Sequence, residues 1–439
     1  MEQNMRKVQP NMKKKLISLM ILSSMGLPAV AAEDNILSDI VVSLDADQIA
    51  GVTEFASSYA ITPQYTYNHV FSGFSATVSQ TVLTQLSSDQ RVLSVSKDGR
   101  VHAIKSTSDN TTACDFLLGC QTNQQQTPWG ISRIGADTDK NVDKNTGEGV
   151  HVYVIDTGID SDHADLADNI ADGFSVEMCL GLSCSNAWDD DQGHGTHVAG
   201  TIGALDNELD VIGVAPAVTL HAVKVLNAAG SGSNSGVIAG IDWVTQQAKS
   251  LGIPVIANMS LGGTGSKTGT CTNNGFIGSD NFHRAICNAK NQGVIFAVAA
   301  GNDGNNANQA TPAAYDDAVI TVSATNIDDD WASFSNWGNA AADWTIHQSA
   351  PVAIAAPGVN VLSTKSGGGT TSLSGTSMAA PHVAGVLALY LETISLSADS
   401  NAFVEARDWL LHNSESNANL TNSTGNPHQE DFLNAEIPK

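Results

Sequence analysis

Four short stretches of this chain carry side chains able to do chemistry together. The first, Gly375-Thr376-Ser377-Met378-Ala379-Ala380-Pro381-His382-Val383, sets a serine before an Ala-rich apolar run that reaches Leu391. At a helix start, unpaired backbone N–H groups and the helix dipole favour negative charge developing beside that serine. A serine hydroxyl is a weak nucleophile at its own pKa, so it needs a base and an acid to orient the base. Taken alone, the stretch reads as a hydroxyl cap on a core helix. Asp156 ends an apolar run in Val154-Ile155-Asp156-Thr157-Gly158, where the turn can turn backbone donors toward a buried carboxylate and keep it ionised. His194 lies between glycines in Gly193-His194-Gly195-Thr196-His197. His194 and His197 stand three apart, whereas helical zinc pairs use i, i+4 with a Glu between, so zinc is disfavoured. Asn302, after Ala299-Ala300-Gly301, can donate its amide to an oxyanion together with the Ser377 backbone N–H.

Such groups need elements that bring them to one edge. From Thr127 onward, apolar strands at 150–155, 220–225, 254–259, 294–299 and 318–324 alternate with helical segments at 197–205, 237–249, 283–291 and 381–392. This alternation predicts an α/β domain with a predominantly parallel sheet flanked by helices. In such sheets reacting groups collect beyond the carboxyl ends of the strands. Pro381 is expected in the first turn of its helix, where a missing N–H costs little. Upstream, 36–44 reads as a strand, 47–59 as a helix, 65–78 as a strand pair, 80–87 as a helix and 92–95 as a strand. The pattern is a small α+β unit. Between the two units, residues 106–126 are rich in Asn, Gln and Thr and loop-like, which marks a domain boundary.

Composition narrows the function classes. Asp and Glu number 45 against 20 Lys and Arg, a net charge of −25 that opposes binding to the nucleic-acid backbone. Lys13-Lys14-Lys15, the apolar run Leu16 to Leu27 and the small residues Pro28 to Ala32 read as an export signal, with no membrane anchor after its removal. The six cysteines fall as neighbours, Cys114/Cys120, Cys179/Cys184 and Cys271/Cys287, which suits three local disulfides in an exported chain, although spacing does not settle connectivity.

Together the four motifs resemble the subtilase family of secreted serine endopeptidases, of the subtilisin and proteinase K type. The order Asp, His, Ser is the subtilisin order, and Ala379 breaks the Gly-x-Ser-x-Gly elbow of α/β-hydrolases. The resemblance covers 127 to about 435. It implies that Ser377 attacks a peptide carbonyl, His194 carries the proton, Asp156 orients the imidazole and Asn302 stabilises the oxyanion. A catalytically silent module on the same fold would have no use for all four.

The resemblance extends to substrate, metal and precursor. Ser260, Leu261 and Gly262 on one side, and Gly230, Ser231 and Gly232 on the other, resemble the edges that pair with an extended peptide, which predicts broad specificity. With Ala300 and Gly301, the 260–262 segment suggests a pocket for a large apolar side chain. Residues 201–216 resemble the subtilisin calcium loop, implying a structural Ca²⁺ held by the carbonyls of Leu205, Leu209 and Val211, the side chains of Asn207 and Asp165, and Gln125 from the N-terminal arm. No organic cofactor is implied. Residues 33–105 resemble the subtilase propeptide through His69-Val70-Phe71-Ser72-Gly73-Phe74, implying an intramolecular inhibitor and folding helper. The expected plan is a signal at 1–32, the propeptide at 33–105, a linker or mature arm at 106–126 and a monomeric peptidase domain at 127–439. The junction is open between Val101 and about Thr112.

Overall fold

In strand β1 (Leu37–Leu44), Ile40, Val42 and Leu44 share one face and Val41 lies on the other, the period of two that a strand imposes. The structure, a computed structural model, describes residues 36–104, 107–108, 124–137, 145–180, 184–338 and 351–436. The expected signal at 1–32, most of the 106–126 arm, and Cys114 and Cys120 lie outside the described residues. The first face of β1 is covered by α1 (Val52–Ser58) and α2 (Gln80–Ser88), through Phe55, Ala56 and Leu86. With β2 (Tyr65–Tyr67), β3 (Gly73–Ser79) and β4 (Val92–Lys97) it forms a sheet of order β2-β3-β1-β4. One helix was expected over 47–59. Instead a 3₁₀ turn at Ala46–Gln48, capped by Asp45, precedes α1, and Gly51 in an extended conformation separates the two.

The chain then runs through β5 (Arg100–Ala103) and β6 (Thr107–Ser108) to α3 (Trp129–Arg133) and into the large domain. Its strands and helices follow as β7 (His151–Asp156), β8 (Ile170–Ser175), α4 (His194–Gly203), β9 (Thr219–Lys224), β10 (Ser231–Ser233) and α5 (Asn234–Leu251). Next come β11 (Val255–Met259), β12 (Leu261–Thr264), the hairpin β13 (Thr270–Thr272) and β14 (Gly275–Ile277), and α6 (Asn281–Lys290). The remainder is β15 (Val294–Ala299), β16 (Ala310–Thr311), β17 (Ile320–Thr325), β18 (Ile354–Pro357), β19 (Val361–Thr364) and β20 (Thr370–Ser374). Helices α7 (Thr376–Glu392) and α8 (Ser400–His412) and strand β21 (Asp431–Phe432) close the chain.

The expected parallel sheet is present, with eight strands in the order β21-β18-β17-β15-β11-β7-β9-β8. Every pairing in it is parallel. Both faces are buried. Val152 and Val154 of β7 pack toward α4 and α7, while Tyr153 and Ile155 pack toward α5 and α6. Disulfides join Cys179 to Cys184 and Cys271 to Cys287, with Cα atoms 5.9 and 5.4 Å apart.

Pro381 is placed differently from the expectation. Helix α7 begins at Thr376, so the proline is its sixth residue and lies beyond the first turn. Its missing N–H deprives the Ser377 carbonyl of a helical donor, and Ser260 Oγ donates to that carbonyl instead, at 3.0 Å.

Helix α4 is pinned to β19 by hydroxyls: Ser363 Oγ donates to His197 O and Thr364 Oγ1 to Thr196 O, both at 2.7 Å. Gly200 sits over this contact, and a Cβ there would lie 2.1 Å from Thr364 Oγ1 and 2.5 Å from Ser363 Oγ. Gly200→Ala therefore overpacks the joint and should cost about 1–3 kcal/mol. Thermal unfolding of a Ser377→Ala precursor, with and without the change, reads this directly. An unchanged midpoint would mean that α4 can slide on β19.

Candidate active site

The carboxyl ends of β7, β11 and β15 and the amino ends of α4 and α7 meet at one edge of the sheet. Asp156, the last residue of β7, is fully buried. Its Oδ1 accepts the Thr157 N–H at 2.7 Å and is 2.8 Å from His194 Nδ1. His194 is the first residue of α4, and Gly193 before it has φ 105°, the left-handed region that glycine tolerates. Asp190 fastens this entry. One oxygen accepts from Gln192 N and Gly193 N, the other from Thr196 N and Thr196 Oγ1.

Burial alone would disfavour a charged His194. The Asp156 charge and hydrogen bond, with Asp190 behind, outweigh it and raise the imidazole pKa. His197 has the opposite fate: burial, with His194 adding, pushes it down to about 3. Its Nε2 donates to the Val361 carbonyl at 3.0 Å, which removes that nitrogen as a metal ligand.

Ser377 is the second residue of α7 and fully buried. Its Oγ donates toward the Ile104 and Ser260 carbonyls, each at 3.2 Å, rather than to His194 Nε2, which has no protein partner. The Asp–His contact is thus formed and the Ser–His contact is not, a common state before a reacting complex tightens. Asn302 follows Gly301 beyond β15. Thr376, which sequence reasoning missed although it adjoins the serine, donates its N–H and Oγ1 to Asn302 Oδ1, both at 2.9 Å. That fixes the Asn302 amide nitrogen as the end turned toward Gly375.

The residues expected to flank a peptide do so around the chain's own β5. Strand β10 pairs with it antiparallel, with Gly232 opposite Val101, and β12 pairs on the other side, with Leu261 opposite Ala103. Gly230 O accepts the Ala103 N–H at 2.8 Å and Ser260 O accepts the Ile104 N–H at 3.2 Å. Beside Ile104 lies a cavity of about 470 Å³ lined by Leu261, Gly262, Ala299, Ala300, Gly301 and Phe334. Downstream, β6 pairs with β20, placing Thr107 opposite Ser374.

The expected calcium ligands gather at a second place. Gln125 Nε2 donates to Leu205 O at 2.5 Å and Val211 O at 3.1 Å, so both carbonyls face one point. Asp165 is buried and accepts from Asn207 Nδ2 at 2.9 Å and Val211 N at 3.1 Å. Burial pushes its carboxyl up to about 7, the sign of a carboxylate lacking an opposing charge. Leu209 joins only through its N–H on Asn207 Oδ1. Two carbonyls, a carboxylate and two amides form an oxygen-rich set that fits a hard cation once the Gln125 amide presents its oxygen.

The sequence pattern of the Subtilase family matches residues 147–430, and that of Peptidase inhibitor I9 matches residues 30–103. A subtilisin-like protease of Coccidioides posadasii is 43% identical over 282 residues, covering 62% of this chain and 61% of its own. The chain therefore spans about three fifths of that relative's length. The cuticle-degrading protease of Metarhizium anisopliae is 36% identical over 371 residues, covering 82% of this chain and 81% of its own. The crystal structure of a cold-adapted subtilisin-like serine proteinase superposes with a TM-score of 0.56 at 34% identity, over 71% of this chain and 98% of that one.

The raised His194 pKa fixes a stability signature. A group whose pKa is higher folded than unfolded stabilises the fold fully below the unfolded value near 6.5, and that contribution fades as pH rises through the folded value. Asp156→Asn removes the cause of the rise. In a Ser377→Ala background, the drop in unfolding midpoint caused by Asp156→Asn should be largest near pH 5 and shrink above neutrality. A drop that grew with pH would contradict the assigned pair.

Proposed function

The chain belongs to the subtilase family, and from that premise we propose that it is a secreted, monomeric serine endopeptidase of broad specificity, made as a self-processing precursor and stabilised by calcium. One observation carries the reading: the chain's own residues Arg100–Ala103 lie as a strand between two edges, with the Ile104 carbonyl at Ser377 Oγ. An extended main chain is thus held against a serine with an Asp–His pair beside it.

The mechanism follows from these atoms. Ser377 Oγ turns to His194 Nε2, gives up its proton there and bonds to the carbonyl carbon. The oxyanion takes hydrogen bonds from the Ser377 backbone N–H and the Asn302 amide. His194, held by Asp156, returns the proton to the leaving nitrogen as the C–N bond breaks, and water repeats the sequence to free the acyl group. This is the general Ser-His-Asp template applied to this chain's residues. Main-chain pairing on both sides explains broad specificity, since β10 and β12 read backbone rather than side chains.

On this reading the self-cleavage bond is Ile104–Lys105, within the window that the sequence left open, and the Ser377 Oγ contact with the Ile104 carbonyl supports it. Residues 33–104 then remain as inhibitor, with β5 filling the groove as product. Ser377→Ala should accumulate as precursor, and mass spectrometry of the active protein should find Lys105 as its first residue. A mature protein arising unaided from Ser377→Ala would end the self-processing reading. Failure of a fluorophosphonate to label Ser377 in the processed protein would end the protease reading.

Gln125, Asp165, Leu205, Asn207 and Val211 would hold the Ca²⁺ ion, and Leu209, the remaining expected ligand, would steady Asn207 through its N–H. The ion would supply the charge that the buried Asp165 lacks and pin the arm at 124–126 to the loop at 205–211, where Gln126 N already bonds Asp210 O at 2.9 Å. Chelation should therefore inactivate slowly and more steeply with temperature, with the initial rate intact. Asp165→Asn should lower thermal tolerance and remove its calcium dependence. Immediate loss of activity on chelation would instead point to a metal in the reaction.

A further inference from the structure

A second set of charges is buried beside the Asp–His pair. Lys224 ends β9 in register with Asp156, so two adjacent parallel strands finish in a cation and an anion on the same face. Preceding residues on that face of β9 are Leu220 and Ala222, which belong to the apolar core. Lys224 is fully buried, and its ammonium donates to Thr157 O at 2.6 Å, Asp191 Oδ1 at 2.6 Å and Leu226 O at 3.1 Å, which uses all three protons. Asp191 Oδ2 accepts the Leu180 N–H at 2.8 Å, inside the loop closed by Cys179–Cys184.

The pair therefore bridges two loops that carry the proposed catalytic groups. Thr157 immediately follows Asp156, and its N–H holds Asp156 Oδ1 while its carbonyl holds Lys224. Asp191 stands three residues before His194, in the segment that enters α4. A buried ion pair is weak evidence for stability, because apolar residues of similar volume often serve as well. Its place, between the turn after one member and the segment before the other, is better explained by positioning.

We infer that the Lys224–Asp191 ion pair is a positioning device for the triad, tying the Asp156 turn to the His194 segment and balancing the charge around the imidazole. The inference rests on the proposed protease reading. The charges acting on His194 are Asp156 from β7 and Asp190 from the segment before α4, and His197 on α4, itself facing His382 of α7, is coupled to it; Lys224 of β9 and Asp191 stand one step further out, at the Thr157 carbonyl and beside Asp190. Strand β19, also packed on α4, carries none.

The test is the pH dependence of Ser377 labelling by a fluorophosphonate, which reads the nucleophile and its base without a peptide substrate. Asp191→Asn leaves Lys224 uncompensated, favours neutral His194 and should move the acid limb down by about one pH unit. Lys224→Met leaves Asp191 uncompensated and should move it up by a similar amount. The double variant should restore the limb but not the rate, which is expected to stay at least tenfold below the parent in all three because the bridge is gone. Shifts of the same sign, unmoved limbs or full labelling rates would overturn the inference. Circular dichroism of the same changes in a Ser377→Ala precursor separates folding from positioning, and if none of the three folds, the pair belongs to folding and the inference falls. A parent that is never labelled would instead overturn the protease reading itself.

Discussion

The structure turns on holding the Asp156 carboxyl group in place out of water. An unpaired charge in a protein interior costs several kcal/mol, so donors must be built around it. The first comes from the turn after β7, whose shape needs Gly158 at φ 111°, where a Cβ would meet Trp188 O at 2.4 Å. The second is the imidazole, which reaches Asp156 only because α4 approaches closely. A Cβ on Gly195 would lie 2.1 Å from Gly158 O. Two glycines thus let two loops close on one carboxylate. The parallel ladder to β9 and β11 keeps the strand end from moving away.

The second organising element is a strand that the large domain does not own. β5 completes a four-stranded sheet of order β10-β5-β12-β16, and the small unit is docked so that β5 arrives in register. Two carboxylates fix the docking reciprocally at α5. Asp98 of the small unit accepts Ser235 N and Oγ, at 2.9 and 2.6 Å, at the helix start. Asp242 of α5 accepts the N–H groups of Asn68, His69 and Val70 at 3.1, 2.7 and 2.8 Å. Main-chain pairing of this kind suits a substrate and an inhibitor alike, and what distinguishes them is how firmly the rest of the small unit stays attached.

What the sequence made legible was local. Runs such as Val152 to Ile155 and Val294 to Ala299 announce buried parallel strands because β-branched and apolar residues recur without polar breaks. The four motifs are contiguous and were found in order. Features set by distant partners were not legible. The helix over 47–59 breaks at Gly51, whose effect depends on how α1 must meet the sheet. β8, with Ala171, Asp172 and Gly173 in it, lacks a strand pattern and forms because the edge of β9 is available. Backbone carbonyls such as those of Leu205 and Val211 have no side-chain signature, so only the family likeness pointed to them. Lys224 and Asp191 are 33 residues apart, and neither spacing nor composition suggests that they meet.

Pro381 shows how a local rule and a functional site are reconciled. A proline inside a helix costs about 3 kcal/mol or more, partly because the carbonyl four residues back loses its donor. Here that carbonyl belongs to Ser377. Ser260 Oγ replaces the donor, and Asn258 Nδ2 steadies the Ser260 hydroxyl at 3.0 Å. The carbonyl of the same Ser260 accepts the N–H of Ile104 at 3.2 Å. One residue at the end of β11 therefore holds both the helix that carries the serine and the peptide laid before it. A shift of Ser260 would move Ser377 and β5 together, so their separation is insulated from small motions of the surrounding sheet. The helix defect is thus the opening through which the serine and the bound chain are referred to a common point.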